Sequence, residues 1–490
     1  MDKVRLFIKN YLFEMISFLL AFSTSFSVFI FSKLRFSNDD QFIIYRYVQN
    51  IVDGNGFVYN QGEKILGSTT PLFTIISALF KYFFRFISVP DIIAYINVFF
   101  ISLGAIILFK ISRNFISKKF SIFLVVIYAL NLSKVVPEGM ESSIFIFTTL
   151  AFLYFILEER NYLASMFLGL MILTRPDAGL IAVLAFIFWI IKFGYRQTFK
   201  IITVCIIVVL PWLIFATLYF GSFIPQSVIA KMHTHDIVNQ SSLQAFKVQL
   251  SHLSRIYWGK IYDPNNIFLQ VIVNLIPFFV LVLCGMKRFL NKNNWILFAV
   301  PFIYLISFSL SNPVMFPWYL SQIEPFWILL SFLGFVSLFD FIQIKYLRVI
   351  LSLVILIGPI FFFFNLVYKV DGGSKLGLFE IGNYLRENVK DGERVGVNNI
   401  GIIGYTSDAY IVDFFGLINE ESPYFYPVGE CADKNIQYII PPKLITYFKP
   451  DYLVLSGITE LTKCFKDSKW FKDNYTLVWE DPGFIFKLNK

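Results

Sequence analysis

Charge is what this chain has least of. Asp, Glu, Lys and Arg together make up 15% of its 490 residues, against roughly a quarter in a soluble domain. That scarcity excludes an ordinary water-soluble globule. The four cysteines, Cys205, Cys284, Cys431 and Cys464, show no metal-ligand spacing. His233 and His235 alternate beside Asp236, too weak a pattern to specify a metal. Gly401 and Gly404 lack the G-x-G-x-x-G spacing of a nucleotide loop. There is no internal repeat and no low-complexity tract. What is present is hydrophobic: 57% apolar residues, 19% aromatic, 60 of them Phe, and a mean hydropathy of +0.66.

Many apolar runs approach the ~20 residues needed to cross a bilayer, so the sequence predicts a polytopic α-helical membrane protein. The net charge of +9 then reflects cytoplasmic loops and anionic lipid, not nucleic acid. The first run, 11–31, is too long for a signal-peptide core and lacks a small-residue cleavage site. Lys3, Arg5 and Lys9 precede it, which puts the N-terminus in the cytoplasm.

The segment 71–88 decides the topology. Lys81 and Arg85 share one helical face, opposite an apolar stripe of Leu72, Ile76, Leu79, Phe80, Phe83 and Ile87, a pattern suited to a helix lying flat in the interface. With 71–88 flat, the clusters at Lys110–Lys119, Arg160, Lys192–Lys200, Lys287–Lys292 and Lys345–Arg348 all fall inside; with 71–88 spanning, nearly all of them flip outside, against the positive-inside rule. The map has about eleven crossings: 11–31, 92–109, 120–136, 142–157, 161–174, 178–192, 201–219, 266–285, 294–311, 317–339 and 349–368. It leaves outside the loops 32–91, 137–141 and 220–265 and everything after about 370.

Residues 1–369 are thus expected to be a membrane module, and 370–490, charged and turn-rich, a small extracytoplasmic α/β domain. In that domain 378–388 reads as an amphipathic helix, and 394–397, 410–414, 452–455, 475–479 and 484–488 as strands. Outside the membrane, Cys431 and Cys464 could form a disulfide. Cys205 and Cys284 lie in apolar spans.

The adjacent acids Asp39 and Asp40 lie just past the first span, a costly place for carboxylates unless they have a task. Ser37 or Asn38 is expected to cap a helix whose first turn carries them. Ile44, Tyr47, Val48 and Ile51 give it one apolar face; Arg46, Gln49, Asn50 and Asp53 give the other. The loop therefore reads as an amphipathic helix lying on the membrane and ending at Asp53-Gly54-Asn55-Gly56.

The run Asn38-Asp39-Asp40-Gln41-Phe42-Ile43-Ile44-Tyr45-Arg46-Tyr47, then Gly54-Asn55-Gly56-Phe57-Val58-Tyr59-Asn60, Gly62-Glu63 and Gly67-Ser68-Thr69-Thr70-Pro71, resembles the first outer loop of bacterial GT-C glycosyltransferases. The arabinofuranosyltransferase-like branch is the nearest; protein O-mannosyltransferases and lipid A aminoarabinose transferases are more distant. Further matching segments are Glu138-Gly139-Met140-Glu141, Thr174-Arg175-Pro176-Asp177, Gly221–Ser227 with Ala230-Lys231, and Ile400–Tyr405 with Asp413 and Gly416-Leu417. One departure stands out: many relatives carry a basic residue opening the segment Phe316–Leu320, and this chain has none there.

The resemblance implies a GT-C fold and an inverting transferase in the cytoplasmic (inner) membrane. Such an enzyme moves a sugar from a polyprenyl-phosphate donor to an extracytoplasmic glycan, lipid or protein acceptor in cell-envelope glycan assembly. A carboxylate must accept the proton of the attacking hydroxyl, and cations or backbone donors must hold the leaving phosphate. Asp39 is the leading base and Asp40 its partner or a sugar ligand, with the two exchangeable. Glu138 and Glu141 are second-carboxylate candidates. Arg175, Arg46, Lys64 and Lys231 are candidates for donor phosphate or substrate. A divalent cation bridging Asp39 and Glu138 stays open. The competing expectation is a transporter or flippase for lipid-linked sugars, which would favour paired half-structures and interrupted helices at mid-membrane.

Overall fold

A computed structural model of the chain describes residues 2–32, 38–234, 241–253, 255–258, 275–290, 294–311, 317–368, 376–426, 439–456 and 460–489. The chain divides into two compact units. One comprises Met1–Arg35, Ile93–Leu210 and Gln240–Val370; the other comprises Phe36–Ile92, Pro211–Asn239 and Asp371–Lys490.

Among the described residues, six helices are long and apolar enough to cross a membrane: Tyr11–Phe31, Val89–Arg113, Lys118–Glu138, Pro176–Phe220, Glu324–Phe341 and Lys345–Tyr368. Shorter apolar helices run over Ser142–Leu157, Asn161–Thr174, Ile276–Lys287 and Ile296–Ser311. This is a multi-pass helical membrane protein. The expected crossings 178–192 and 201–219 belong to one long helical stretch, Gly179–Phe220, interrupted where Gly194 adopts φ 72°, ψ 170°. The expected crossing 317–339 starts later than charge and hydropathy suggest. A short helix Pro317–Ser321 ends in a turn, and the long helix begins at Glu324 with Pro325 in its first turn, where a missing N–H costs nothing. Much of the expected crossing 266–285 lies outside the described residues; Ile276–Leu290 is helical. In the first unit, Gly285 and Gly334 let two helices meet backbone to backbone. A Cβ on either would sit 1.9 Å from Leu330 O or 1.8 Å from Leu281 O, the small-residue packing that membrane helices use.

The second unit carries the α/β domain. Its five-stranded sheet runs in the order Tyr410–Asp413, Arg394–Val397, Tyr452–Ser456, Gly483–Leu488, Tyr475–Trp479. The first three strands pair parallel, and Gly483–Leu488 pairs antiparallel with both of its neighbours, Tyr452–Ser456 and Tyr475–Trp479. Val412, Phe414, Leu453, Leu455, Phe471 and Phe486 share its core. The expected amphipathic helix forms at Leu376–Asn388. Cys464 is disulfide-bonded; its expected partner Cys431 lies outside the described residues. Cys205 and Cys284 are free.

Two local expectations are corrected. The helix after the acid pair, Gln41–Val52, is not a surface helix with a polar side: Gln41, Arg46 and Asn50 are as buried as Ile44, Tyr47 and Val48. Arg46 and Asn50 bond to backbone of their own unit, so burying them costs little, whereas Gln41 accepts from the Tyr45 hydroxyl and keeps its Nε2 buried without a partner among the described residues. In helix Pro71–Phe83, Lys81 turns inward, and its Nζ donates to Arg85 O and Ile87 O at 2.7 Å each. The outward side is apolar, with Ile75, Leu79, Phe80, Tyr82, Phe83, Phe84 and Phe86 exposed. Thirteen residues rise about 20 Å, short of a bilayer's ~30 Å.

Candidate active site

Asp39 and Asp40 stand immediately before helix Gln41–Val52. Their carbonyls accept the Phe42 and Ile43 N–H groups at 3.0 and 3.2 Å, which starts the helix. Asp40 occupies the cap position but makes no capping bond with its side chain, so the acids precede the first turn rather than fill it. The cap position is thus Asp40's and not that of the expected Asn38, and Ser37, the other expected cap, lies outside the described residues.

The two carboxylates differ in what surrounds them. Asp39 accepts two backbone N–H groups from helix Ile400–Ser407, Gly401 N to Oδ2 at 3.0 Å and Ile402 N to Oδ1 at 2.8 Å. Asp40 is half-buried. Burial raises its pKa above the usual carboxylate value, and the Lys231 charge opposes that rise. Lys231 and Lys64 are exposed, and Lys64 Nζ lies 4.7 Å from the centre of the Tyr219 ring.

Arg46 is placed otherwise than on an anion. It is 4% exposed, and its guanidinium donates to Tyr59 O at 2.9 Å, Gly404 O at 2.6 Å and Ala409 O at 2.7 Å. Asn60 pairs with Ile411 through both backbone groups, at 2.8 and 3.0 Å. Asp413 is fully buried and accepts from Phe415, Leu417 and Ile418 N–H. The segment 413–418 is thereby held rigidly.

The same unit contains a cleft of about 510 Å³ lined by Phe220, Ile224, Glu420, Glu421, Tyr424 and Tyr447, among others. Two carboxylates and several rings line it, and no Lys, Arg or His does so among the described residues.

Glu138, Glu141 and Arg175 belong to the helical unit, where they join a cluster of buried charges. Arg175 pairs with Glu141 and, at 2.8 Å, with Asp177; its guanidinium also stacks 5.0 Å over the Tyr319 ring. A cation therefore reaches the Phe316–Leu320 segment from another helix. Glu138 accepts from Ser321 Oγ at 3.0 Å. Glu324 pairs with Lys134 and, at 3.0 Å, with His252. Lys134, His252, Ser321 and Glu324 belong to no motif that the sequence singles out. Ionisable residues at the ends of apolar spans are the signal that could have found Lys134 and Glu324. Glu141 Oε2 and both polar atoms of the Gln322 amide are buried without a hydrogen-bond partner. Among the described residues, no group of three or more His, Cys, Asp or Glu could hold a metal ion. The side chains of His233 and His235 lie outside the described residues.

A family model described as a domain of unknown function (DUF8728) matches residues 368–486. No curated protein matches the chain. Solved structures do. The oligosaccharyltransferase AglB of the archaeon Archaeoglobus fulgidus, in complex with an inhibitory peptide and a dolichol-phosphate, aligns over 99% of this chain and 75% of its own, with 11% identity and a TM-score of 0.57. Its apo form gives 12% identity and 0.58 over the same shares. ArnT from Cupriavidus metallidurans, bound to undecaprenyl phosphate, aligns over 98% of both chains, with 11% identity and a TM-score of 0.58. At such identities the likeness speaks of architecture, and the architecture of this chain is the GT-C fold of membrane glycosyltransferases.

Proposed function

We propose that the protein is an inverting glycosyltransferase of the cytoplasmic membrane that uses a polyprenyl-phosphate sugar and an extracytoplasmic acceptor. The observation that carries this reading is the acid pair: one carboxylate is held by backbone amides, and its neighbour has a raised proton affinity beside Lys231. The GT-C neighbours solved with dolichol-phosphate and undecaprenyl phosphate support a donor of this lipid class.

In the proposed reaction an acceptor hydroxyl attacks the anomeric carbon from the face opposite the phosphate. The C–O bond to phosphate breaks, its electron pair leaves with the phosphate, and the hydroxyl proton passes to a carboxylate. Sequence puts Asp39 first for that role and leaves the two exchangeable. The hydrogen bonding favours the exchange: Asp39 is engaged by two amides, whereas burial suits Asp40 to accept a proton. Lys231 and Lys64 are the proposed phosphate contacts of this unit, and Arg175 that of the helical unit. Glu138 and Glu141 are the proposed second carboxylates. The acceptor is proposed to enter the cleft beside Tyr424 and Tyr447. Its rings suit the C–H face of a sugar, its carboxylates suit hydroxyls, and the lack of cations among its described lining residues disfavours the donor phosphate. The N-terminus is assigned to the cytoplasm and the sheet domain to the outside.

The test is reconstitution of the full chain in proteoliposomes with radiolabelled polyprenyl-phosphate hexoses and pentoses. Transfer moves label from the lipid to the acceptor fraction, and Asp40→Asn abolishes it. A flippase would change the leaflet of the label without cleaving it from lipid, which would overturn the proposal.

A further inference from the structure

The helix Ile400–Ser407 is capped at both ends by side chains from the first outer loop. Its own cap residue, Asn399, makes no capping bond; the Asn399 amide oxygen accepts from Ser456 Oγ at 3.0 Å instead. Asp39, 362 and 363 positions away in sequence, satisfies the first-turn amides of Gly401 and Ile402. At the other end, Arg46 binds the carbonyls of Gly404 and Ala409. An acid thus faces the positive end of the helix and a guanidinium its negative end, the arrangement the helix dipole favours. The spacing fits: Asp39 and Arg46 are seven residues apart, about 10 Å of helical rise, against about 12 Å for the eight-residue helix.

The approach is close enough to need glycine. A Cβ on Gly401 would lie 1.9 Å from Asp39 O, and one on Gly404 would lie 1.9 Å from the Tyr59 hydroxyl. That hydroxyl donates to Ile400 O at 2.5 Å, so the first turn is tied to the loop through both its N–H and its C=O groups.

We propose that helix Ile400–Ser407 is a positioning element of the catalytic acid pair. It binds the Asp39 carboxylate and so fixes the backbone from which Asp40 projects. On this inference Asp39 is a positioning residue, and the domain matched as one of unknown function is a working part of the active site. It rests on the transferase reading above and deepens it.

The experiment compares Asp40→Asn, Asp39→Asn, Gly401→Ala and the double variant Asp39→Asn/Gly401→Ala. The full chain is used in proteoliposomes, with whichever polyprenyl-phosphate sugar of the hexose and pentose panel turns over. Asp40→Asn is expected to lose at least about 1,000-fold in kcat. Asp39→Asn keeps the shape but can accept only one of the two amides; it is expected to lose about 10- to 100-fold in kcat with donor KM unchanged within about twofold, the pattern of lost alignment. Gly401→Ala is expected to match it, and the double variant to be no worse than either single, because all three break one contact. Should Gly401→Ala fail to fold, Arg46→Lys loosens the other end of the same helix and is expected to show the same kcat-selective loss. Additive losses, or losses that track thermal stability, would overturn the inference, as would an Asp39→Asn variant as inactive as Asp40→Asn. An unaffected Asp39→Asn with an inactive Asp40→Asn would sink this inference alone; full activity in both would sink the transferase reading itself.

Discussion

Replacing Arg46 with Met tests whether this buried guanidinium serves the fold or a ligand. Met keeps the length and apolar stem but removes three charged hydrogen bonds of 2.6–2.9 Å, each worth about 1.5–3 kcal/mol. The loss is partly offset. Tyr59 O still receives Asn50 Nδ2 at 2.9 Å, and Gly404 O still receives the Asp408 N–H at 3.2 Å, so two of the three carbonyls keep a donor. The net cost should then be about 3–5 kcal/mol, which corresponds to a factor of about 150 to 5,000 in the local opening equilibrium. Hydrogen-exchange mass spectrometry of the detergent-solubilised chain reads this directly as faster exchange in peptides covering 400–411 and 57–60. If Arg46 instead binds donor phosphate, exchange in those peptides stays within about threefold while donor KM rises sharply. That result would refute a structural role for the Arg46 guanidinium.

Three further outcomes follow from the site. Activity should fall as pH drops through the raised pKa of Asp40, because the base works only when deprotonated; Lys231→Gln, which removes the opposing charge, should move that fall to higher pH in a pH–rate profile. Lys134→Met should destabilise the helical unit by up to about 3–5 kcal/mol by leaving buried Glu324 without its lysine and with His252 as its remaining ion-pair partner, and adding Glu324→Gln should recover much of the loss, as read by thermal unfolding in detergent. Tyr424→Ala should raise acceptor KM severalfold and leave donor KM unchanged; equal KM values for the acceptor in both proteins would remove the cleft from the proposal.

Features written in local periodicity are readable without the structure. The strands at 394–397, 410–413 and 475–479 show as short β-rich runs between turn residues, and the break near residue 194 shows as a basic interruption between two apolar runs. The acid pair is legible because two carboxylates beside an apolar span are conspicuous. Its surroundings are not. Helix Ile400–Ser407 is short, rich in Gly and Ile, and lacks a clear polar side, so no period marks it. A charge on an amphipathic pattern is expected to seek water, which places Arg46 and Lys81 on polar faces. Both instead find carbonyls: Lys81 those of Arg85 and Ile87, four and six positions on, and Arg46 those of Gly404 and Ala409, over 350 positions away, which nothing in local spacing announces. The buried Arg175–Glu141 pair joins two helices across 34 positions, again beyond the reach of periodicity.

The bonds that anchor Asp39 come from main-chain amides, and every residue except proline can offer those. Evolution can therefore rewrite most side chains of that short helix without touching the contact, provided positions 401 and 404 stay small. A transplanted C-terminal domain would need to reproduce a backbone path, not a sequence motif. Chimaeras built by matching residues across the junction should fail wherever that path shifts by about an ångström, however well each half folds by itself.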